Sequence, residues 1–257
     1  MKNKMMRNYI KNLISIIIVN WNRSDDLKIT LTHLENLNPK EYEIIIIDNG
    51  STDQSHELYN SLNSNIKIIQ LPYNMGCETG FNIGILNAKG EIDIYLDSDA
   101  HIDIENLNKI REIFKSNSDV AIIEPRVIGT QDGKIQNEPK FWPIKNTFIG
   151  CAVAVHAKAY EKVGLRPDEY FLYSSELDFS MRLVIKNQKI IHRNDIIAYH
   201  RESPVERKSK SFLYYYTRNN IWSIFKYYPI KPLCYEILFH FCYCLFISIK
   251  NMQILSM

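Results

Sequence analysis

The sequence has few cysteines, and they follow no regular spacing. Its 257 residues contain five cysteines, and no two of them form a CxxC pair. They are Cys77, Cys151, Cys234, Cys242 and Cys244. A disulfide framework needs a regular set of paired cysteines, so this pattern favours a reducing, cytoplasmic compartment.

The sequence also lacks an excess of charge of one sign. It has 31 Lys and Arg against 29 Asp and Glu, a formal net charge of +2, so nothing predicts a nucleic-acid partner. Residues 1–12 are locally basic, but no apolar stretch typical of a secretion signal follows them. Secretion is therefore not predicted, and 1–12 is treated as a separate basic segment.

From residue 13 onward, short apolar runs alternate with segments of helical periodicity. Strands are predicted at 13–22, 42–48, 66–71 and 92–97. Helices are predicted at 24–37, from about 54, within 74–90 and at 104–116. Strands that alternate with helices indicate a parallel sheet with crossover helices over residues 13–118.

The pattern changes in residues 119–205, where strands follow one another without long helices between them. Strands are expected at 120–128 and 147–156, a helix at 175–187, and two short strands within 189–200. Residues 206–257 are predicted to form a C-terminal helical part, beginning with an aromatic helix at 211–228. The fold class is therefore α/β, with a mixed central sheet and C-terminal helices.

Polar residues stand at the ends of the first, second and fourth predicted strands. They are Asn20 and Trp21, Asp48 and Asn49, and Asp97 with Asp99. In open α/β sheets, ligands bind beyond the carboxyl ends of the parallel strands. These three groups are therefore expected along one ligand-binding edge.

Asp97 and Asp99 are separated by one residue, a spacing that suits a hard divalent cation. Mg²⁺ and Mn²⁺ prefer oxygen ligands, and Mg²⁺ usually keeps water and substrate phosphates in its shell. The alternative is a solvated turn, but the position at a buried strand end favours the metal site. His101 and Asp103, just beyond, are interpreted as turn or helix-cap residues.

Asp48 and Trp21 each have two interpretations. A carboxylate that ends a buried strand can accept hydrogen bonds from a nucleotide base or ribose, or it can form an Asx turn. Trp21 can stack on a base or pack in the core. The residues alone leave both choices open.

Several blocks, in this order and spacing, resemble glycosyltransferase family two. They are SIIIVNWNRSDDL (15–27), IIIIDNGSTD (44–53), NMGCETGFNIGILNAKGE (74–91), IYLDSDAHI (94–102) and FLYSSELDFSMRLVIKNQKI (171–190) followed by DIIAYH (195–200). The resemblance runs from about residue 13 to 220, and its glycine-containing block (74–91) is most similar to members that transfer rhamnose or similar sugars to bacterial surface polysaccharides. It implies a GT-A fold, with a nucleotide-binding half at 13–118 and an acceptor half at 119–205.

The resemblance also implies roles for these residues. Asp48 would contact the nucleotide base, and Asn20 and Trp21 would wall its pocket. Asn49 and Gly76 belong to the same nucleotide-binding set. Asp97 would lie near the ribose or the metal. Asp99 would coordinate a Mg²⁺ or Mn²⁺ ion that bridges the diphosphate, and His200 matches a position that often faces that ion.

The catalytic block departs from the family pattern at one position. The family usually has two adjacent acids, one further residue and then Asp, whereas this chain has Ser175, Glu176, Leu177 and Asp178. Glu176 matches the position of the general base, and Asp178 is the second catalytic candidate, because the loss of the first acid leaves open whether Asp178 shares the task. The spacing of Glu176 and Asp178 on a helix, about 200° apart, prevents both from facing one cleft.

The implied function is inverting, metal-dependent transfer of a sugar from a nucleotide-diphosphate sugar to a hydroxyl on a glycan or a lipid-linked acceptor. Bacterial surface polysaccharide or glycoconjugate synthesis is the expected context. Two alternatives are a nucleotidyltransferase and a non-catalytic sugar-nucleotide-binding relative. The first is disfavoured because residues 19–26 lack the glycines of a triphosphate loop. The only feature that favours a non-catalytic relative is Ser175, which stands where the family usually has an acid.

The segment 233–249, here named the C-terminal segment, is apolar except for Glu236, His240 and Ser248. Seventeen residues are at the short limit for crossing a bilayer, and Glu236 adds to the cost. An interfacial helix on the inner membrane face is favoured over a packed helix or a homodimer face.

Overall fold

The structure is a computed structural model that describes residues 7–62, 65–137, 147–202 and 210–229, with further residues between 234 and 249. The strands are β1 Ile10–Asn20, β2 Tyr42–Asp48, β3 Ile66–Gln70, β4 Gly90–Asp97, β5 Ala100–Ile102, β6 Val120–Gly129, β7 Val153–His156 and β8 Lys189–His200. The helices are α1 Ser24–Thr32, α2 Ser55–Ser61, α3 Cys77–Asn87, α4 Ile104–Ser116, α5 Lys158–Val163, α6 Ser175–Ile185 and α7 Lys210–Tyr227.

All eight described strands lie in one mixed sheet, in the order β3-β2-β1-β4-β7-β6-β8-β5. The first four are parallel, β7 is antiparallel to both β4 and β6, and β6 is parallel to β8. The predicted α/β class with a mixed sheet is confirmed. The carboxyl ends of β1, β2 and β4 meet at one edge, as the sequence predicted.

The runs of isoleucine in β1 and β2 explain why these strands are central. Both faces of the sheet are covered, so an apolar residue is buried whichever way its side chain points. Ile16 and Ile18 of β1 pack in a core beneath α1, α2 and α4, while Ile17 packs in a second core beneath α3, α5 and α6.

Two glycines of α3 let that helix approach β1 closely. A Cβ atom at Gly80 would lie 2.8 Å from a methyl group of Val19, and one at Gly84 would overlap Ile17. The small residues on this face of α3 therefore form a helix–sheet contact. It brings the N-terminus of α3 to the edge where β1 ends.

The sequence reading was wrong about several boundaries. Helix α1 ends at Thr32 rather than at 37, although Leu34 remains buried in the turn that follows. The predicted pair of short strands at 189–200 is one strand with a bulge, since the pairing moves from Pro125–Arg193 to Arg126–Ile197. Strand β5 and helix α5 were missed because both are very short.

Candidate active site

A cleft of about 870 Å³ opens where the ends of β1 and β4 face α6 and the loop before it. Its lining includes Trp21, Asn49, Asp97, Asp99, Glu176 and His200. Residues from the predicted nucleotide-binding half and the predicted acceptor half therefore share one space.

The turn between β4 and β5 holds the two aspartates. Thr30 of α1 donates a hydrogen bond from its hydroxyl to the carbonyl of Ser98 (2.7 Å), and Arg201 donates to the hydroxyl of Thr30 (2.6 Å). Both anchoring residues are distant in sequence and were not predicted. These hydrogen bonds hold the turn in one conformation and so orient the side chains of Asp97 and Asp99.

Asp99 is buried, and both of its carboxylate oxygens have partners. Arg23 Nη1 lies 2.9 Å from Oδ2, and His200 Nε2 lies 3.1 Å from Oδ1. Strands β5 and β8 pair antiparallel with Ala100 opposite His200, which explains how a residue 101 positions away reaches Asp99. Asp97 is more exposed, with Oδ2 3.9 Å from His200 Nε2.

The donor set of this cluster fits a divalent cation. His200 Nδ1 lies 2.7 Å from the side-chain oxygen of Gln136 and donates its proton there. His200 Nε2 then faces the carboxylates of Asp97 and Asp99, and these three groups could hold a cation between them. Within the described residues, Asp97, Cys151 and His200 also form a group of possible metal ligands. The sequence reading missed Cys151.

Asp48 lies at the end of β2, fully buried. Its Oδ1 accepts a hydrogen bond from the backbone N–H of Ser51 (3.2 Å), which is the turn interaction that the sequence left open. Its Oδ2 has no hydrogen-bond partner among the described residues, and His56 Nε2 is 3.8 Å away. Asp48 therefore lies beneath the cleft surface, which it does not line.

Asn20 does not line the cleft, in contrast to its expected place in the pocket wall. Its side-chain amide is buried and donates to Ser55 Oγ and Tyr59 OH, both at 2.9 Å. Through these hydrogen bonds Asn20 links the end of β1 to α2, below the ligand-binding edge of the sheet. Trp21, the next residue, is half-buried and does line the cleft.

Asn49 and Gly76 shape the loop that leads into α3. The side-chain amide of Asn49 donates to the carbonyl of Gly76 (3.1 Å), and its oxygen accepts from the backbone N–H of Met75 (2.8 Å). Gly76 has a φ of 90° and packs against Phe171, so a side chain there would clash. Asn49 lines the cleft, whereas Gly76 supports the loop.

Glu176 lies in the first turn of α6 and faces the cleft, with its side chain 23% exposed. A Cβ atom at Gly150 would lie 2.6 Å from Glu176 Oε1, so this glycine makes room for the carboxylate. Burial raises the pKa of Glu176 above the ordinary Glu value, although the Arg166 guanidinium acts in the opposite direction. A carboxylate with a raised pKa accepts a proton more readily.

Arg166 joins three elements next to Glu176 and was missed by the sequence reading. Its buried guanidinium forms a two-pronged ion pair with Glu78 of α3 and donates to Ser175 Oγ (3.0 Å). Arg166 Nη2 also lies 3.6 Å from Glu176 Oε1. Ser175, where the family usually has an acid, therefore contacts the Arg166 guanidinium, whose positive charge is balanced by Glu78.

The loop before α6 has an unusual backbone. Phe171, Tyr173 and Ser174 all have φ between 61° and 65°, a region that non-glycine residues rarely adopt. Asn219 of α7 is buried and donates from its amide to the carbonyls of residues 170, 172 and 173 at 2.8–2.9 Å. Strained backbone persists where the surroundings hold it, and helix α7 supplies that support.

Asp178 lies away from the cleft, at the contact between α6 and α7. Its carboxylate accepts hydrogen bonds from Lys226 (2.5 Å), Tyr227 (2.7 Å) and Arg182 (2.7 Å). Burial alone would raise its pKa, but the hydrogen bonds of Lys226 and Tyr227 and the charge of Arg182 outweigh it and hold the pKa below the ordinary value. We propose a structural role for Asp178 instead of the catalytic one expected from sequence.

Replacing Asp178 with Asn is expected to lower the free energy of unfolding by about 2–3 kcal/mol, because the buried carboxylate loses its charge-assisted hydrogen bonds to Lys226, Tyr227 and Arg182. The pKa of Asp178 is depressed in the folded state, so its stabilisation is complete above about pH 4 and is lost as the pH falls through the folded-state value. Urea unfolding of both proteins at several pH values measures this. The control is Asp195→Asn, which breaks an exposed pair with Arg193 and should cost less than about 1 kcal/mol. Equal costs would contradict the structural role.

The chain is similar to proteins of known families over much of its length. Residues 15–177 match the family model of glycosyl transferase family 2. The chain is 30% identical to the dolichol-phosphate mannosyltransferase of Pyrococcus furiosus over 139 residues, which is 53% of this chain and 38% of the relative. It is 27% identical to the putative teichuronic acid biosynthesis glycosyltransferase TuaG of Bacillus subtilis over 152 residues, which is 55% of this chain and 60% of TuaG.

A solved structure agrees with the fold. The mannosyltransferase PcManGT of Pyrobaculum calidifontis, solved with GDP-Man and Mn²⁺, superposes with a TM-score of 0.64 at 13% identity. The similarity covers 94% of this chain and 72% of that one, and the predicted GT-A fold is confirmed. The family match includes the ends of β1, β2 and β4 and reaches Glu176. This chain belongs to glycosyl transferase family 2.

Proposed function

We propose that the protein is an inverting, divalent-metal-dependent glycosyltransferase that moves a sugar from a nucleotide-diphosphate sugar to a hydroxyl acceptor. One observation carries this proposal: Glu176 and the cluster of Asp97, Asp99 and His200 line the same cleft. They stand on different elements, so a donor and an acceptor can be held between them. Burial is the main cause of the raised pKa of Glu176, and the negative charge of Asp97 across the cleft adds to it.

The cation would be held by Asp97, Asp99 and His200. When bound, it would stabilise the negative charge that develops on the departing diphosphate. Support comes from the oxygen and nitrogen donor set and from Mn²⁺ in the PcManGT structure. Arg23, which is paired with Asp99, places a further positive charge on the same side of the cleft.

Glu176 is proposed to take the proton of the acceptor hydroxyl. General-base assistance of this kind contributes about 10²–10⁴-fold. A base on the side opposite the leaving group gives direct displacement, and hence inversion at the anomeric carbon. Arg166 would act with Glu78 as a fixed charge pair that keeps the Glu176 carboxylate oriented toward the cleft.

The nucleotide base is proposed to lie near Trp21 and Asp48, at the ends of β1 and β2. Asp48→Ala is expected to weaken the binding of a nucleoside diphosphate by about 1–3 kcal/mol, because Oδ2, which has no hydrogen-bond partner among the described residues, would accept one from a base that reaches the end of β2. Isothermal titration calorimetry measures the change. Glu57→Ala, an exposed acid on α2, is the matched control. Equal affinities of wild type and Asp48→Ala for the nucleotide would show that Asp48 does not bind the base and only stabilises the turn with Ser51.

The acceptor is proposed to be a growing surface polysaccharide or a lipid-linked glycan. TuaG and the dolichol-phosphate mannosyltransferase support this class by their names. The match spans less than two thirds of either relative, so the sugar and the acceptor stay open. The test incubates the full chain with a panel of UDP-, GDP- and dTDP-sugars, with and without Mn²⁺ or Mg²⁺, and measures release of nucleoside diphosphate. Absence of metal-dependent release with every donor would overturn the proposal.

The C-terminal segment is proposed to hold the protein on an anionic membrane surface. Its described residues are helical and expose large apolar side chains, among them Tyr235, Phe241 and Phe246. No helix within the described part of the chain is both long enough and apolar enough to cross a bilayer. Exposed aromatic residues on a helix favour binding at the interface.

Truncation after Tyr228 is expected to move the protein from the membrane fraction to the soluble fraction, because it removes this apolar surface. Sedimentation with vesicles that contain anionic lipid measures the change. The control is the full chain on vesicles of neutral lipid, which should bind less. Full-length protein that stays in the supernatant with both vesicles would indicate a packed helix or a dimer face instead.

A further inference from the structure

We propose that the cleft also takes a thiophilic divalent cation, such as Zn²⁺ or Co²⁺, through a ligand set that includes Cys151. This set, here named the thiol set, consists of a carboxylate oxygen of Asp97, Sγ of Cys151 and a ring nitrogen of His200. The three ligand atoms all lie within 4.8 Å of one another. The proposal shares residues with the proposed transferase site but does not depend on its activity.

The sheet explains why Cys151 stands beside Asp97. Strands β4 and β7 are antiparallel, with Tyr95 opposite Val153. Strand β7 begins at Val153, and Ala152 before it has a φ of 56°, so Cys151 lies in the turn that leads into β7, near Asp97 at the end of β4. His200 reaches the same place at the end of β8. The thiol set is thus built from the ends of β4 and β8 and from the turn that precedes β7.

The groups around the thiol set suit metal binding. Gln136 holds the Nδ1 proton of His200, which leaves Nε2 to bind a metal. Asp99 Oδ1 lies 3.1 Å from the same Nε2, so this carboxylate stands beside the metal position and could bind the ion as well. Cys151 is 4% exposed, so its sulfur is shielded from bulk water while it still lines the cleft.

The sulfur changes which cation the cleft prefers. Thiolate and imidazole ligands suit Zn²⁺, whereas Mg²⁺ and Mn²⁺ prefer oxygen. A tetrahedral zinc site with bonds of about 2.0–2.3 Å places its ligand atoms about 3.5 Å apart, so the thiol set would have to contract by about 1 Å. On binding, the thiol loses its proton to solvent and the sulfur becomes a metal-bound thiolate. The fourth position faces the cleft, where water or a phosphate oxygen can occupy it.

A thiophilic ion at this site would compete with the ion proposed for transfer, because both need Asp97 and His200. Micromolar Zn²⁺ is therefore expected to displace Mn²⁺ from the wild-type protein. In Cys151→Ser, the preference for Zn²⁺ over Mn²⁺ should fall by about tenfold or more, as loss of one ligand weakens metal binding.

The test is a Co²⁺ titration of the untagged full chain without nucleotide, followed by absorbance. A thiolate-to-cobalt charge-transfer band with one-to-one stoichiometry is expected for the wild type and should be lost in Cys151→Ser. Cys77→Ser, which removes another thiol that lines the cleft, should keep the band. A second possible cluster, of His33, His101 and Asp103, has no thiol and cannot produce the band.

Gln136→Ala provides a variant that leaves every ligand in place. It is expected to weaken Co²⁺ binding by about 10–100-fold while the band remains at saturation. Absence of the band in a folded wild type, or a full band in Cys151→Ser, would overturn the proposal. If the protein transfers sugar in a metal-dependent way but shows no thiolate-to-cobalt band, the thiol set is refuted and the transferase proposal stands. If the band appears but no sugar is transferred, only the transferase proposal is refuted.

Discussion

Glu176→Gln is expected to lower the rate of sugar transfer by about 10²–10⁴-fold while donor binding stays within about twofold of wild type. The substitution keeps the size and hydrogen-bonding capacity of the side chain but removes its ability to accept the acceptor proton. Single-turnover transfer at saturating donor separates the chemical step from binding. The neighbouring Arg166 keeps its ion pair with Glu78 in this variant, so the fold should be retained.

The pH dependence of transfer gives a second readout for Glu176. Its pKa is raised by burial, and the base must be deprotonated to act. The rate of the wild type should therefore fall on the acid side with an apparent pKa above the ordinary Glu value of about 4.3. The control is Glu105→Gln, an exposed acid on α4, which should match the wild type. A normal rate in Glu176→Gln would exclude Glu176 as the base.

Asp99→Asn is expected to lower transfer by about 10²–10³-fold, similar to the loss of one group that stabilises charge in a transition state. The substitution removes the charge that faces His200 and Arg23 and so weakens the proposed cation site. Removal of metal from the wild type by a chelator should have a comparable effect, and added Mn²⁺ should restore the wild type but not the variant. Initial rates of nucleoside diphosphate release measure both.

A matched control for Asp99→Asn is Asp103→Asn, the N-cap of α4, which lies four residues away and does not line the cleft. Thermal unfolding of both variants checks that neither has lost its fold. Chelator-treated wild type with full activity would rule out the metal role of Asp99. Loss of activity in Asp99→Asn that occurs together with unfolding would instead show that its ion pair with Arg23 is structural.

The sequence predicted those parts of the fold that arise from local patterns. The isoleucine runs of β1 and β2, the helical spacing of α4 and the polar residues that end β4 are visible in short windows, and they place the ligand edge correctly. The separation of Glu176 and Asp178 also followed from helical geometry alone. The structure shows Glu176 in the cleft and Asp178 against α7.

Other features depend on contacts between distant residues and leave no local pattern. Glu78 reads as a surface acid of a helix until Arg166, 88 residues away, is seen beside it. Cys151 is one of several scattered cysteines until the fold places the turn before β7 beside Asp97 and His200. Asn219 belongs to an aromatic helix, and only the cluster of polar residues from Arg218 to Asn220 could have indicated a buried amide.

The contact of Asn219 with the loop before α6 has a consequence for how this enzyme can change specificity. Its amide binds main-chain carbonyls, which every amino acid offers, so the path of the loop does not depend on which side chains it carries. Leu172 and Tyr173 nevertheless project those side chains into the cleft. A library that varies these two positions while keeping Asn219 can therefore explore new acceptors without moving Glu176, and natural divergence can use the same freedom.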